Sequence, residues 1–283
     1  MASLEVFRGG VAVITGAGSG MGAGMARALA RVGATVVLAE IAVDRAERVA
    51  GEIRAEGGAA HVIPVDTGDP ASIEALAAAV HERFGAVRLL ANNAGIETLG
   101  LAWELSAAAW ERIVKINVLG PIHGVRAFVP HMLAAGQRAF IANFGSIGSF
   151  GIMPVQNPYV MSKHAVLSFS EGLRCEMELV NAPISVSVVT PGPVATRIFT
   201  DAALGGEGAA HHQAQMEAMI GAGMPAQEAA ERILAGVAEG SFWVSPHPEM
   251  TAAFAKQRAE HLANLATPAL TAQTRTLLEP QRS

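Results

Sequence analysis

With 283 residues, 51% of them hydrophobic and only 5% aromatic, the chain can bury one large core. Its formal net charge of −5 comes from interspersed acidic and basic residues, which leaves no electrostatic footprint for nucleic acid. The single cysteine, Cys175, excludes an intrachain disulfide. No apolar run reaches the ~18 residues of a membrane span and no signal-peptide pattern opens the chain, so a soluble cytoplasmic protein is expected.

In chain order, residues 11–14 form a continuous apolar run, as expected of a strand buried on both faces. It leads into Thr15-Gly16-Ala17-Gly18-Ser19-Gly20-Met21-Gly22, followed by a helical pattern carrying Met25, Leu29 and Val32. Strand, glycine loop and helix in this order are the context of a dinucleotide fingerprint. Gly16, Gly20 and Gly22 would let the backbone turn tightly and approach a pyrophosphate at a helix N-terminus, where Ser19 and Met21 are further expected cofactor contacts. A second strand, 35–39, ends in Glu40, whose carboxylate can accept from both ribose hydroxyls and would repel a 2′-phosphate. Ser19 and Ile41 offer that phosphate no positive charge, and Arg45 reads as a solvated residue opening the next helix. NAD is therefore expected rather than NADP.

A helix over 45–56 and a strand over 60–65 follow. Asp69-Pro70 makes a sound helix start, with aspartate as cap and proline in the first turn, and that helix runs to Phe84. Next come a strand at 89–92 and a helix capped by Ser106 that passes Trp110, Ile113 and Val118 towards Met132. A strand at 139–143, a helix bearing Tyr159 that runs to about Leu179, and a strand at 184–189 complete the alternation. This pattern predicts an α/β fold, a doubly wound parallel sheet of Rossmann type, in a single domain over residues 1–283. Right-handed crossovers would bring Gly16, Asn93, Ser146 and Pro191, each following a strand, to one crevice.

The most specific chemical signal is Tyr159 with Lys163 four residues later and Ser146 thirteen residues before. A four-residue helical step puts phenol and ammonium on one face. A phenol titrates near ~10, and a fixed ammonium beside it is expected to lower that value. The trio reads as acid/base machinery for an alcohol or a carbonyl.

Together these residues resemble the short-chain dehydrogenase/reductase family, over residues 11–196 and again over 226–244. The glycine loop matches that family's Thr-Gly-x-x-x-Gly-x-Gly, and Asn92-Asn93-Ala94-Gly95 its motif after the fourth strand. Asn117, Ser146, Tyr159 and Lys163 match its catalytic set. The resemblance implies reversible hydride transfer, with Tyr159 as acid/base and Ser146 orienting the substrate oxygen. It gives Lys163 the nicotinamide ribose to hold, and gives Asn117 a kink in its helix and a water linked to Lys163. It also implies cofactor contacts from Asp66 and Thr67, from Asn93, Ala94 and Gly95, and from Pro191, Gly192, Val194 and Thr196 of the nicotinamide-side loop. Homo-oligomers, tetramers or dimers, are the family's habit.

Residues 197–225 differ in character: glycine-rich Gly205-Gly206-Glu207-Gly208 precedes Met216, Met219 and Ile220, which share one helical face. This suggests either a mobile lid over the substrate or a surface helix packing its stripe on the core. Phe150, Met153, Ile198 and Phe199, with Ser146 and Tyr159, are the expected substrate contacts, and no charge occurs between Ser146 and Tyr159. An apolar or aryl-bearing secondary alcohol or ketone is favoured, although Arg197 could meet a carboxylate. In the C-terminal extension, 245–283, Met250, Phe254, Leu262 and Leu265 suggest an amphipathic helix stopped by Pro268. Among relatives that degrade lignin-type aryl ethers, such extensions shape pockets for bulky benzylic alcohols.

Other features read as structural. His211 and His212 point apart and lack companion metal ligands, so no metal is expected. His164 lies off the Lys163 face, Cys175 reads as a buried thiol, and Trp103 and Trp110 as packing beside the long helix. Two alternatives stand beside an NAD-dependent dehydrogenase: an NADPH-preferring carbonyl reductase, disfavoured by Glu40, and a nucleotide-binding regulatory protein without turnover, disfavoured by the intact Tyr159 and Lys163.

Overall fold

The computed structural model describes residues 4–206 and 208–278. Seven parallel strands form its central sheet: β1 (Val11–Thr15), β2 (Thr35–Glu40), β3 (Ala59–Pro64), β4 (Val87–Asn92), β5 (Ala139–Phe144), β6 (Ile184–Val189) and β7 (Trp243–Val244). Their spatial order is β7-β6-β5-β4-β1-β2-β3. The chain reverses direction across the sheet between β1 and β4, which opens a crevice beyond the carboxyl ends of those strands.

Alternation along each strand divides the core into two layers. On one face Ala12, Ile14, Val36 and Leu38 meet α1 (Gly20–Arg31), α2 (Val43–Ala55) and α8 (Ala226–Glu239). On the other, Val11, Val13, Val37 and Leu90 meet α3 (Pro70–Phe84), α5 (Gly120–Ala135) and α6 (Asn157–Leu179). Both faces are covered, which is why these strands read as continuous apolar runs. Asp69 caps α3 by accepting the Ala71 N–H at 3.0 Å, and Ser106 caps α4 (Ala107–Ile113) by accepting that of Ala109 at 3.2 Å. Between α4 and α5 the helix widens into a π-helical segment, Val114–Leu119, with Asn117 buried inside it.

Above the crevice, short strand pairs tie residues 194–225 to the core: Thr98–Leu99 with Ala203–Leu204, and Val194–Ala195 with Met224–Pro225. Here α7 (Gly208–Gly221) buries Ala209, His212, Met216 and Ile220 against Leu99 and Phe199. The expected stripe is thus corrected: Met219 turns outward and is 40% exposed. The extension forms α9 (Pro248–Ala263), which ends ahead of Pro268, and α10 (Ala272–Leu278). No residue of α9 is buried, and Leu262 and Leu265 face solvent instead of forming an apolar stripe. Cys175, expected inside, is exposed on α6, and Trp103 is 80% exposed rather than packed. Among the described residues no helix is long and apolar enough to cross a membrane.

Candidate active site

The glycine loop is held by its neighbours. Gly16 has φ +67°, and a Cβ there would stand 2.9 Å from Ala94 Cα; a Cβ on Gly22 would meet the Gly16 carbonyl oxygen at 2.3 Å. Only glycine lets α1 come this close to the loop. Thr15 Oγ1 accepts the N–H groups of Asn93 and Ala94, each at 3.0 Å, and Asn93 Nδ2 donates back to the Thr15 carbonyl at 2.8 Å. The first and fourth strands are therefore locked at their carboxyl ends.

A cavity of about 1070 Å³ opens there. Its walls carry Gly16, Ser19, Gly20 and Met21, then Glu40, Asp66 and Thr67 on one side, and Asn93, Ala94, Gly95, Thr196 and Ile198 on the other. Gly22, Pro191, Gly192 and Val194 lie off those walls. Size, close backbone approach and a helix N-terminus fit a dinucleotide. Glu40 is fixed by three backbone donors: Oε2 accepts from Gly18 at 2.9 Å, and Oε1 from Ile41 at 3.0 Å and Ala42 at 3.1 Å. Asp66 accepts the Gly68 N–H at 2.8 Å. Arg45, partly exposed to solvent in the first turn of α2 as expected, also pairs with Asp201 at 2.8 Å, and Arg197 meets the same carboxylate at 2.8 Å.

Behind Gly95 stand the acid/base residues. A Cβ on Gly95 would lie 3.5 Å from both Lys163 Nζ and Asn117 Oδ1. Lys163 Nζ donates to the Phe144 carbonyl at 2.8 Å and lies 5.3 Å from the Tyr159 ring centroid. Ser146, two residues beyond β5, accepts the Gly148 N–H on its Oγ at 3.1 Å, and a Cβ on Gly148 would lie 3.5 Å from that oxygen and 3.8 Å from Tyr159 Cε1, so the two side chains converge there. Asn117 binds both backbone groups of Ile96, accepting from its N–H and donating to its carbonyl at 2.9 Å each, and also donates to Ser162 Oγ at 3.1 Å. The π-helical turn is what aims this amide inward. π-Bulges recur at functional sites.

Electrostatics departs from the sequence expectation. Burial pushes the Tyr159 phenol up, Glu97 adds to the rise, and the Ser146 hydrogen bond opposes both. Desolvation of the phenolate dominates, and the lowering expected from Lys163 is not found in the protein alone. Lys163 is itself brought down to about 8 by burial, with Glu97 opposing.

Glu97 was not foreseen. It is 1% exposed, burial raises its carboxyl well above the ordinary range, and Oε2 has no hydrogen-bond partner among the described residues. Its position just after the Asn-Asn-Ala-Gly motif was the available signal.

The expected substrate residues divide. Ile198 lines the cavity, whereas Phe199 is buried within the Leu99–Met216 cluster beneath α7. Phe150 faces Trp243 at 6.0 Å between ring centroids, and Met153 is half-buried in the loop before α6. That loop carries Val155 at φ +69°, an unusual conformation for a β-branched residue. The next residue, Gln156, meets His212 Nε2 at 2.8 Å, which ties the loop to α7. His212 thus serves packing, and no cluster of potential metal ligands occurs among the described residues.

Comparison with known proteins agrees with this geometry. The family model for short chain dehydrogenases matches residues 10–204. C alpha-dehydrogenase of Sphingobium sp. (strain NBRC 103272 / SYK-6) is 30% identical over 256 residues, covering 87% of this chain and 83% of that one. A short-chain dehydrogenase/reductase from Burkholderia phymatum, solved with NAD, superposes with a TM-score of 0.90 at 32% identity, over 94% of this chain and 98% of that one. A metagenomic short-chain oxidoreductase solved with NADP gives a TM-score of 0.63 at 33% identity, over 67% and 85%. Fold, motif order and these similarities establish that the chain belongs to the short-chain dehydrogenase/reductase family of oxidoreductases.

Proposed function

We propose that the protein interconverts a secondary alcohol and its ketone, the substrate being apolar or aryl-bearing, with NAD as the preferred partner in hydride transfer. The carrying observation is that Ser146 and Tyr159 converge on Gly148 with Lys163 over the phenol ring, set directly behind Gly95 of the dinucleotide-sized cavity.

A bound nicotinamide would accept the hydride in alcohol oxidation and, in its reduced form, give it in ketone reduction. The chain's residues manage the proton. In ketone reduction Tyr159, held protonated by burial, donates to the carbonyl oxygen while Ser146 orients that oxygen. In alcohol oxidation Tyr159 must first become phenolate, which the Lys163 ammonium favours. Asn117 carries no proton here; by anchoring Ile96 and Ser162 it fixes the loop after β4 against the helix that carries Lys163.

Glu40 supports NAD over NADP, because its fixed carboxylate stands where a 2′-phosphate would come and Arg45 is engaged by Asp201. Asp201 also holds Arg197 at 2.8 Å, which engages the cation expected for a substrate carboxylate and favours an apolar ligand. Residues 197–225 then act as its cover.

The test is reduced-nicotinamide absorbance with NAD or NADP and secondary alcohols from small aliphatic to bulky benzylic. Turnover with NAD and an apolar member is expected. Binding of NAD without turnover across the panel, in either direction, would sink the catalytic reading and leave a nucleotide-binding protein.

A further inference from the structure

We propose that residues 245–251 brace the loop 190–192, with His247 as the positioning residue that sets the nicotinamide end of the cofactor site. The inference rests on the dinucleotide reading above.

The loop leaves the end of β6 and is tied in two directions. Towards the reacting centre, the Ile147 N–H donates to the Pro191 carbonyl at 3.0 Å, and Ile147 directly follows Ser146. Towards the extension, the Gly192 N–H donates to His247 Nδ1 at 3.2 Å. The Thr190 carbonyl accepts from Ser245 Oγ at 2.9 Å and Thr251 Oγ1 at 3.1 Å. Ser245 Oγ also accepts the His247 N–H at 3.0 Å, which orients the backbone that carries the imidazole. A Cβ on Gly192 would meet Met250 Sδ at 2.8 Å, so the first turn of α9 lies directly against the loop.

Accepting from Gly192 requires a bare Nδ1, hence neutral imidazole with its proton on Nε2. Burial, aided by the Arg232 charge and opposed by Glu228, pushes this histidine's pKa down and keeps it in that form. Packing does not account for the arrangement, because α9 buries no residue and would gain little by lying there for its own sake. What residues 245–251 accomplish is to hold Thr190 and Gly192, the two neighbours of Pro191, whose carbonyl meets the Ser146 turn. In this fold that loop borders the half of the crevice where the acid/base residues stand, and a hydride-transfer site tolerates little misplacement.

Two substitutions separate positioning from stability. Asparagine at 247 keeps an acceptor near the place of Nδ1, and leucine removes it. For His247→Leu, amide exchange of a peptide spanning 188–194, measured without cofactor, should quicken about tenfold, the scale of one lost backbone hydrogen bond. KM for NAD should rise by a similar factor with a smaller change in kcat, and His247→Asn should restore both. Thr251→Val, which removes a donor to Thr190, should quicken the same peptide. Equal exchange and equal KM in the leucine and asparagine variants would overturn the proposal. Exchange quickened throughout the sheet, with lowered Tm, would also overturn it by showing a merely structural role. Failure of the unsubstituted protein to bind NAD in a titration would overturn the dinucleotide reading itself, and is seen separately from the exchange result.

Discussion

The Lys163 ammonium donates to the Phe144 carbonyl at 2.8 Å, the last residue of β5 and two before Ser146. One carbonyl is slight compensation for a buried charge, and desolvation brings Lys163 from 10.5 to about 8. The unfolded chain therefore holds this proton up to pH 10.5, while the folded one releases it near 8. Burying the charge costs stability in full below pH 8, progressively less from there to 10.5, and nothing above. Lys163→Met removes that cost but leaves the Phe144 oxygen unpaired, which takes back about 1–3 kcal/mol. The informative measurement is thus the pH slope: the stability of Lys163→Met relative to the parent should be most favourable near pH 7 and decline between pH 8 and 10.5. A difference that stays flat over that range would contradict the buried-ammonium assignment. Activity should fall in the same variant by about 10²–10⁴.

Ser146 tests the proton step from the other side. Its hydrogen bond lowers the Tyr159 phenol against burial and Glu97, which both raise it. Without the hydroxyl the phenolate is less stable, so Ser146→Ala should move the acid limb of alcohol oxidation to higher pH. It should also reduce kcat by about 10²-fold, as expected when one oriented donor is lost. Tyr159→Phe should abolish the limb together with turnover while NAD still binds. A Ser146→Ala profile that keeps its limb in place would detach Ser146 from the phenol.

These tests touch both what the sequence shows and what it hides. Buried strands, the Asp69 and Ser106 caps and the glycine loop are legible because each depends on local chemistry: apolar runs, side-chain acceptors and absent Cβ atoms. The π-turn at Val114–Leu119 is not, since its residues also suit an ordinary helix. Met219 differs from Met216 only in angular phase, which a short window fixes poorly. Residue type alone puts Cys175 inside and packs Trp103 beside the long helix, yet both lie where no neighbouring element covers them. Tyr159 is the sharpest case. Lys163 is visible in the sequence and the desolvation that raises the phenol is not, because desolvation belongs to the assembled site.

Cofactor choice is expected to turn on Glu40. Its two oxygens serve Gly18, Ile41 and Ala42, so deleting the side chain would disturb the loop as well as the charge. Glu40→Gln keeps an acceptor and removes the negative charge. The ratio of kcat/KM for NAD over that for NADP should fall by about tenfold or more, chiefly through a lower KM for NADP, since 1.4 kcal/mol of repulsion amounts to that factor. An unchanged ratio would show that the loop's shape, rather than its charge, excludes the 2′-phosphate.

Glu97 gives the reverse pair of effects. Its carboxyl is raised well above the ordinary range by burial, with the Thr98 N–H and the Lys163 charge opposing, and one oxygen stays unpaired. The unfolded chain ionises this group near 4.5, whereas the folded one holds the proton to higher pH. The destabilisation it causes is therefore absent below pH 4.5 and grows as pH rises towards the folded value. Glu97→Gln, isosteric and uncharged, should raise Tm at pH 8 and leave it unchanged near pH 4. Because Glu97 lifts the Tyr159 phenol, the same substitution should move the oxidation limb to lower pH, opposite to Ser146→Ala. A variant both steadier and shifted in this sense would mean that Glu97 trades stability for the proton affinity of Tyr159. A Tm gain with no movement of the limb would confine its influence to the fold.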